Sequence, residues 1–340
     1  CSLLATAAPI LKANNFVDVP GHHRFIRNML AGVGGVDLAL FIVAATESWM
    51  PQSQEHLEIL QLLGIPRGII ALTKVDQAEE EWIEMVEEEV REKVAGTVLE
   101  HAPIIRTAAP KGEGLSELLS AIDEALAETP EPIDMGRPRL WIDRVFTVKG
   151  AGTVVTGTLQ GGSIKLEDEL ELVPLGDKAR VRGIQSHNRQ VDQAPVGGRV
   201  ALNLAGVETA EIHRGDALVA PGLISGSLRF NAIIEAVDGL ERAVPQTSEM
   251  KLYIGTAERI AFVKLLDKEE LEPGETALAQ IAVDRPCAAQ WQDRFVLRDP
   301  AHQTTIAGGK ILMVSARRVR GRDHRYSRWE QSEAHRVLVG

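Results

Sequence analysis

The hydrophobic pattern of this chain changes period once, and that change constrains its architecture more than any other feature. Up to about residue 128, short apolar runs alternate with segments of helical period; beyond Leu140 only short runs remain, broken by Gly, Pro, Asp and Asn. The junction is ETPEPIDMGRPR, where Pro130, Pro132, Gly136 and Pro138 end a helix and begin a linker. Proline has no amide proton to donate and bars the residue before it from helical geometry. Ahead of the junction, 16–18, 38–45, 68–73 and 103–106 read as strands, and 22–32, 52–63, 78–97 and 115–127 as helices. Strands spaced by helices of this length predict a mostly parallel, doubly wound sheet. Behind it, RLWIDRVF, GTVVTGTL, DELELV, ARVRGIQ and RVALNLAG form one series. LRFNAIIEAV, EMKLYIG, RIAFVKLL, TALAQIAV and DRFVLRD form a second, with no clear internal repeat between the two. Each series suits a small antiparallel barrel, whose closure leaves no unpaired edge. The predicted organisation is an α/β domain over 1–132, barrels over 138–223 and 227–316, and a basic tail over 317–340.

Composition narrows the partners. With 44% hydrophobic and 25% charged residues in 340, the chain is expected to be a soluble protein of two or three domains. Its longest nearly unbroken apolar run, Leu38 to Ala45, is too short to span a bilayer, and the opening CSLLATAAPILKANN has no basic region ahead of an apolar core. No membrane role and no signal peptide are expected. Cys1 and Cys287 are the only cysteines, which points to a reduced, cytoplasmic protein without a disulfide framework. Because the first residue is Cys1 and not Met, the true start is expected upstream. A net charge of −11 excludes a surface that is basic throughout. The tail ARRVRGRDHRYSRW is a local exception, read equally well as a contact for RNA phosphates or as a solvated extension. The acidic excess sits in QAEEEWIEMVEEEVREKV, where Trp82, Met85, Val86, Val90 and Val94 recur at helical spacing. The glutamates then line a solvated face, and a metal site is not expected there.

Three strand-end loops carry the candidate chemistry. Asp18-Val19-Pro20-Gly21-His22 follows the first strand. An Asp there can hold a Mg2+-bound water while the Gly amide approaches a terminal phosphate, with His22 where an attacking water is oriented. Alone, D-x-x-G is a weak signal, balanced by an Asx-type turn. Thr73-Lys74-Val75-Asp76 ends the strand GIIALT. A carboxylate can accept two hydrogen bonds from a guanine edge, and the Lys74 stem can lie along the base; otherwise Asp76 caps the acidic helix. Thr107-Ala108-Ala109, ahead of PKGEGL, ends the next strand and can offer amides to the guanine oxygen. Carboxyl-end loops in this order form the crevice where open α/β sheets bind ligands. His56, His187 and His213 have no partner at ligand spacing and are read as surface or strand-end residues.

Together the signatures DVPGHHRFIRNMLAGVGGVD, EHLEILQLLGI, ALTKVD, RLWIDRVFTVKGAGTVVTGTL, RVRGIQSHN, GGRVALNLAGV, RGD, GTAE, DRFVLRDP and TIAGGKIL resemble the translational GTPases, most closely the selenocysteine-specific elongation factors (SelB). The likeness runs from about residue 16 to 313, and Thr73, where other members of the class usually carry Asn, matches that branch. The resemblance implies a P-loop-type GTPase domain followed by two antiparallel β-barrels. It implies a GTP- and Mg2+-dependent carrier of selenocysteinyl-tRNA to the ribosome at UGA codons. By position it assigns Asp18 and Gly21 to Mg2+ and γ-phosphate sensing and His22 to orienting the hydrolytic water. Thr73, Lys74, Asp76, Thr107 and Ala108 fall to the guanine pocket. Asp143, Arg144 and Arg199 fall to the pocket for the selenocysteine side chain. A selenol ionises more readily than a thiol, so a cationic pocket favours selenolate over the neutral hydroxyl of serine. Asp143 then orients one guanidinium without touching the anion. Without the resemblance, the same residues read as a rim salt bridge between barrel strands.

The sequence departs from the family in five places. No G-x-x-x-x-G-K-[ST] loop precedes Asp18, nor does a switch threonine region, so the triphosphate lacks its main anion site. The chain ends before the modules that grip the messenger-RNA hairpin in the family. Tyr253 stands where His usually precedes GTAE, with a tRNA contact expected to weaken, and His23 where Glu usually follows PGH. The expectation is a fragment of a GTP-hydrolysing factor, weak in GTP binding and inactive as it stands. The competing expectation is a nucleotide-independent tRNA- or protein-binding module.

Overall fold

The computed structural model describes residues 36–318 apart from 151, 187 and 188. The expected strand at 16–18 and helix at 22–32, and with them Asp18, Gly21, His22 and His23, lie outside the described residues, as do His187 and the tail beyond 318.

Three parallel strands, β1 (Ala39–Ala44), β2 (Gly68–Thr73) and β3 (Ile104–Thr107), lie side by side in chain order, with Ala44 opposite Thr73 and Thr73 opposite Thr107. Buried from Gly68 to Leu72, β2 explains its unbroken apolar run: successive side chains alternate between faces, and both faces are covered. Helices α1 (Pro51–Leu63) and α2 (Glu80–Val94) pack on the face of Ile70 and Leu72. Helix α3 (Leu115–Ala127) brings Leu118 and Ile122 against Ile69 and Ala71 on the other. The buried stripe of α2 runs through Ile83, Val86, Val90 and Val94. That corrects the stripe expected through Trp82 and Met85, which are 43% and 56% exposed. The 3.6-residue period admits either line near the helix start; Trp82 instead donates Nε1–H to the Ala45 carbonyl at 2.8 Å, just past the end of β1.

The first barrel uses β4 (Arg139–Val148), β5 (Gly152–Gln160), β6 (Glu169–Val173), β7 (Asp177–Ser186), β8 (Arg199–Ala205) and β9 (Ala217–Val219). The order is β8-β5-β4-β9-β6-β7, and pairing of β8 with β7 closes the ring. The second uses β10 (Ser227–Ala236), β11 (Thr247–Ile254), β12 (Ala257–Leu265), β13 (Thr276–Cys287), β14 (Arg294–Arg298) and β15 (Thr305–Val314), closed in the order β10-β13-β12-β11-β14-β15. Each encloses its own apolar core, with Leu140, Ile142, Val155 and Leu202 in one and Phe230, Ile234, Leu252 and Phe295 in the other.

Charged side chains join the α/β unit to the second barrel. Helix α1 ends at Gly64 in the left-handed region (φ 63°), where a Cβ would lie 2.2 Å from Cζ of Arg294. Arg294 donates to the Leu62 carbonyl at 3.0 Å, a cation at the negative end of the helix. Nearby, Arg298 pairs with Glu55 at 2.8 Å and Thr305 donates to the same carboxylate at 3.0 Å. Tyr253, the departure expected to weaken a tRNA contact, is 7% exposed and packs in the apolar cluster shared with the α/β unit. Among the described residues no helix is long and apolar enough to cross a membrane.

Candidate functional site

The carboxyl ends of β1, β2 and β3 lie side by side at one edge of the sheet, as parallel strands in register must arrange them, and such an edge is where open α/β sheets hold ligands. The chain leaves β2 through Lys74, a non-glycine residue held in the left-handed region (φ 59°), and enters a single 3-10 turn at Val75–Gln77. Lys74 Nζ meets Glu47 Oε1 at 2.7 Å, so the loops after β1 and β2 are tied to each other. From the loop after β3, Lys111 Nζ approaches Asp76 Oδ2 at 3.9 Å. Ion pairs therefore link the loop after β2 to both of its neighbours, and the Asp76 side chain within it is only 12% exposed.

Asp76 does not cap the acidic helix. The cap position of α2 is Glu79, and no side-chain capping bond is formed there. Instead Asp76 Oδ1 is buried without a hydrogen-bond partner. A buried carboxylate oxygen left unsatisfied is unusual in a folded protein, because desolvation without a donor is costly. Asp76 belongs to the turn that follows the carboxyl end of β2.

The neighbouring candidates are held differently. Thr73 donates its hydroxyl to the Val43 carbonyl at 3.3 Å, and the fully buried Thr107 to the Leu72 carbonyl at 3.4 Å. Both threonines tie strand ends together, so their side chains serve the sheet. The amide of Ala108, expected to be offered to a ligand, is spent on the Glu113 carbonyl at 3.1 Å, which folds the 107–114 loop back on itself. The next amide, of Ala109, begins the short 3-10 turn Ala109–Lys111. Gly114 (φ 70°) permits that fold, since a Cβ there would lie 1.8 Å from the Arg106 carbonyl oxygen.

The second cluster sits on the outside of the first barrel. The ladder of β4 and β5 slips by one residue between Ile142 and Arg144, leaving Asp143 as the extra residue of a β-bulge. Its carboxylate accepts from the Thr156 hydroxyl at 2.5 Å and from Arg199 Nη2 at 2.6 Å. Arg199 belongs to β8 and Asp143 to β4, with β5 between them, so the pair crosses an intervening strand and is not a bond between ladder neighbours. The Asp143 side chain is 14% exposed and that of Arg199 39%; Arg144 beside them is exposed. The bulge thus orients one guanidinium and leaves a second cation next to it. Sequence reading found these three residues but not Thr156, whose position opposite Arg144 is evident only in the ladder.

His56 lies within α1, and His213 is exposed, with Nδ1 3.9 Å from Asp216. No group of three His, Cys, Asp or Glu able to hold a metal ion occurs among the described residues.

Comparison with known proteins follows the three units. The elongation factor Tu GTP-binding domain model matches residues 11–128, the elongation factor Tu domain 2 model 152–219, and the β-barrel domain model of selenocysteine-specific elongation factors 234–318. The selenocysteine-specific elongation factor of Desulfomicrobium baculatum is 42% identical over 304 residues, covering 89% of this chain and 48% of the relative. That of Escherichia coli is 39% identical over 324 residues, covering 94% and 50%. The chain therefore spans about half the length of the curated relatives it matches. The apo crystal structure of elongation factor SelB from Methanococcus maripaludis superposes with a TM-score of 0.79 at 26% identity, covering 92% of this chain and 76% of that one.

Proposed function

Because the chain belongs to the family of selenocysteine-specific elongation factors among the translational GTPases, we propose that it works in a cytoplasmic, GTP-dependent factor that delivers selenocysteinyl-tRNA to the ribosome at UGA codons. The observation that carries the nucleotide half of this reading is the buried, unpartnered Oδ1 of Asp76 at the carboxyl edge of the sheet. Guanine presents N1–H and N2–H side by side, and a carboxylate accepts both. Adenine offers an acceptor at N1 and no amine at C2, so the same carboxylate disfavours it. The Lys74 stem would flank the base, and the closed 107–114 loop would bound it from the other side.

Bound Mg2+ would neutralise charge on the phosphates. Asp18 and Gly21 are assigned to that end of the nucleotide and His22 to orienting the attacking water; these assignments rest on the match to the GTP-binding domain model. In the first barrel, Asp143 fixes Arg199 so that it and Arg144 present a cationic face to a selenolate. The neutral hydroxyl of seryl-tRNA gains no comparable charge-assisted contact.

The reading is tested by Asp76→Asn in the full-length protein. Asn keeps one acceptor and replaces the other with a donor, which suits the C2 carbonyl of xanthine. Affinity for GTP should fall at least tenfold, from loss of a charge-assisted bond worth roughly 1.5–3 kcal/mol, while xanthosine triphosphate gains. Unchanged GTP affinity measured by titration would remove Asp76 from the nucleotide site.

A further inference from the structure

The bulge at Asp143 is held from outside its own barrel. Strand β4 is fixed by the second barrel at three successive points that lead up to it. Arg139 makes two 2.7 Å bonds to Asp293, one to each carboxylate oxygen. Trp141 takes the turn of Gly255 (φ 52°) against its ring so closely that a Cβ would lie 2.3 Å from it. Thr256, 7% exposed, then donates its hydroxyl to the Ile142 carbonyl at 2.7 Å. That carbonyl also accepts the Gly215 amide at 3.0 Å, and the Ile142 amide is bonded to the Asp216 carbonyl at 2.9 Å. The next residue is the bulged Asp143.

A bulge interrupts the ladder, so the polar groups of the peptide at its base are satisfied by partners outside the β4–β5 pairing. Here two partners, the Gly215 amide and the Asp216 carbonyl, come from the same barrel, and the third, the Thr256 hydroxyl, comes from the other. We infer that the Gly255–Thr256 turn of the second barrel is the positioning element for the Asp143, Arg144 and Arg199 cluster of the first. Thr256 fixes the Ile142 peptide, that peptide sets the aim of Asp143, and Asp143 sets Arg199. Substrate discrimination on one barrel then depends on the seating of the other. This inference rests on the selenolate reading given above, and the turn does not itself touch the substrate.

The experiment compares Thr256→Val, which keeps the shape and removes the donor, with Thr256→Ser, which keeps the donor. Arg199→Ala is measured alongside them in the full-length, GTP-bound protein. The readouts are dissociation constants for selenocysteinyl-tRNA and seryl-tRNA, amide hydrogen exchange at Asp143 and Arg144, and thermal melting to confirm folding. Thr256→Val should reduce the preference for selenocysteinyl-tRNA by roughly two- to tenfold, the value of one neutral hydrogen bond, and speed exchange at the bulge. Thr256→Ser should restore both. A preference retained in folded Thr256→Val, or a Thr256→Ser protein as impaired as Thr256→Val, overturns the inference. If Arg199→Ala lowers the preference while Thr256→Val does not, only the positioning role falls. If Arg199→Ala leaves the preference intact, the selenolate reading fails and the inference fails with it.

Discussion

The pair Arg139–Asp293 offers the most direct measure of how strongly the barrels depend on one another. Its side chains are 7% and 10% exposed, and the two bonds are parallel and both 2.7 Å long. Arg139 also lies over the Trp141 ring, 5.3 Å from its centroid. Arg139→Ala leaves the Asp293 carboxylate buried with the Gln290 amide, at 2.9 Å, as its remaining close donor. Stranding one charge of a buried pair costs about 3–5 kcal/mol, and the lost contact over Trp141 adds roughly 0.5–1 kcal/mol. Asp293→Ala leaves the guanidinium with the Ala288 carbonyl and Gln160 Oε1 at 3.4 and 3.3 Å, too long to compensate, so it should cost a similar amount. Replacing both, as Arg139→Met with Asp293→Leu, removes the two charges together and should cost far less than the sum of the single changes. Urea denaturation followed by circular dichroism and tryptophan fluorescence would give the four stabilities. A multi-unit chain need not unfold in one step, so the transition that both probes report is the one to compare. A single change costing less than about 1 kcal/mol, or a double change as costly as both singles together, would refute the reasoning.

Two further outcomes follow from buried groups. Burial raises the pKa of Glu58 above its ordinary value, aided by Glu55 and Asp238 and opposed by the Gln54 bond. A carboxyl raised in the folded state favours folding at low pH and loses that contribution as pH rises through its folded value. Glu58→Gln should therefore raise the melting temperature near neutral pH, with the difference vanishing by about pH 4, below the ordinary value for the group; a lower melting temperature at neutral pH would contradict this. Burial also pushes the Cys287 thiol up to about 11. In a Cys1→Ser background the native protein should resist a thiol reagent at about pH 8 and react once unfolded, and prompt labelling of the native state would show that the site opens.

Much of the architecture was legible because it is encoded locally. The change of period at ETPEPIDMGRPR separated the α/β unit from the barrels. The unbroken run of β2 announced a strand covered on both faces, and its end placed Asp76 at the carboxyl edge of the sheet. Family signatures pointed to Asp143, Arg144 and Arg199 before their geometry was known. Tertiary structure decided what local pattern could not. Whether α2 buried Trp82 or Ile83 depended on where β1 ended, because a single helical turn offers both faces. The Thr107 hydroxyl is given to a neighbouring strand, and Asp76, read either as a guanine acceptor or as a cap, does not cap α2 and keeps its Oδ1 without a hydrogen-bond partner. The bulge at Asp143, the crossing to Arg199 and the Thr256 bond to Ile142 join residues far apart in the chain. Propensity and periodicity act over a few residues and so specify elements; which side chains meet across elements is settled only when closed barrels and packed faces leave each polar group one place to find its partner.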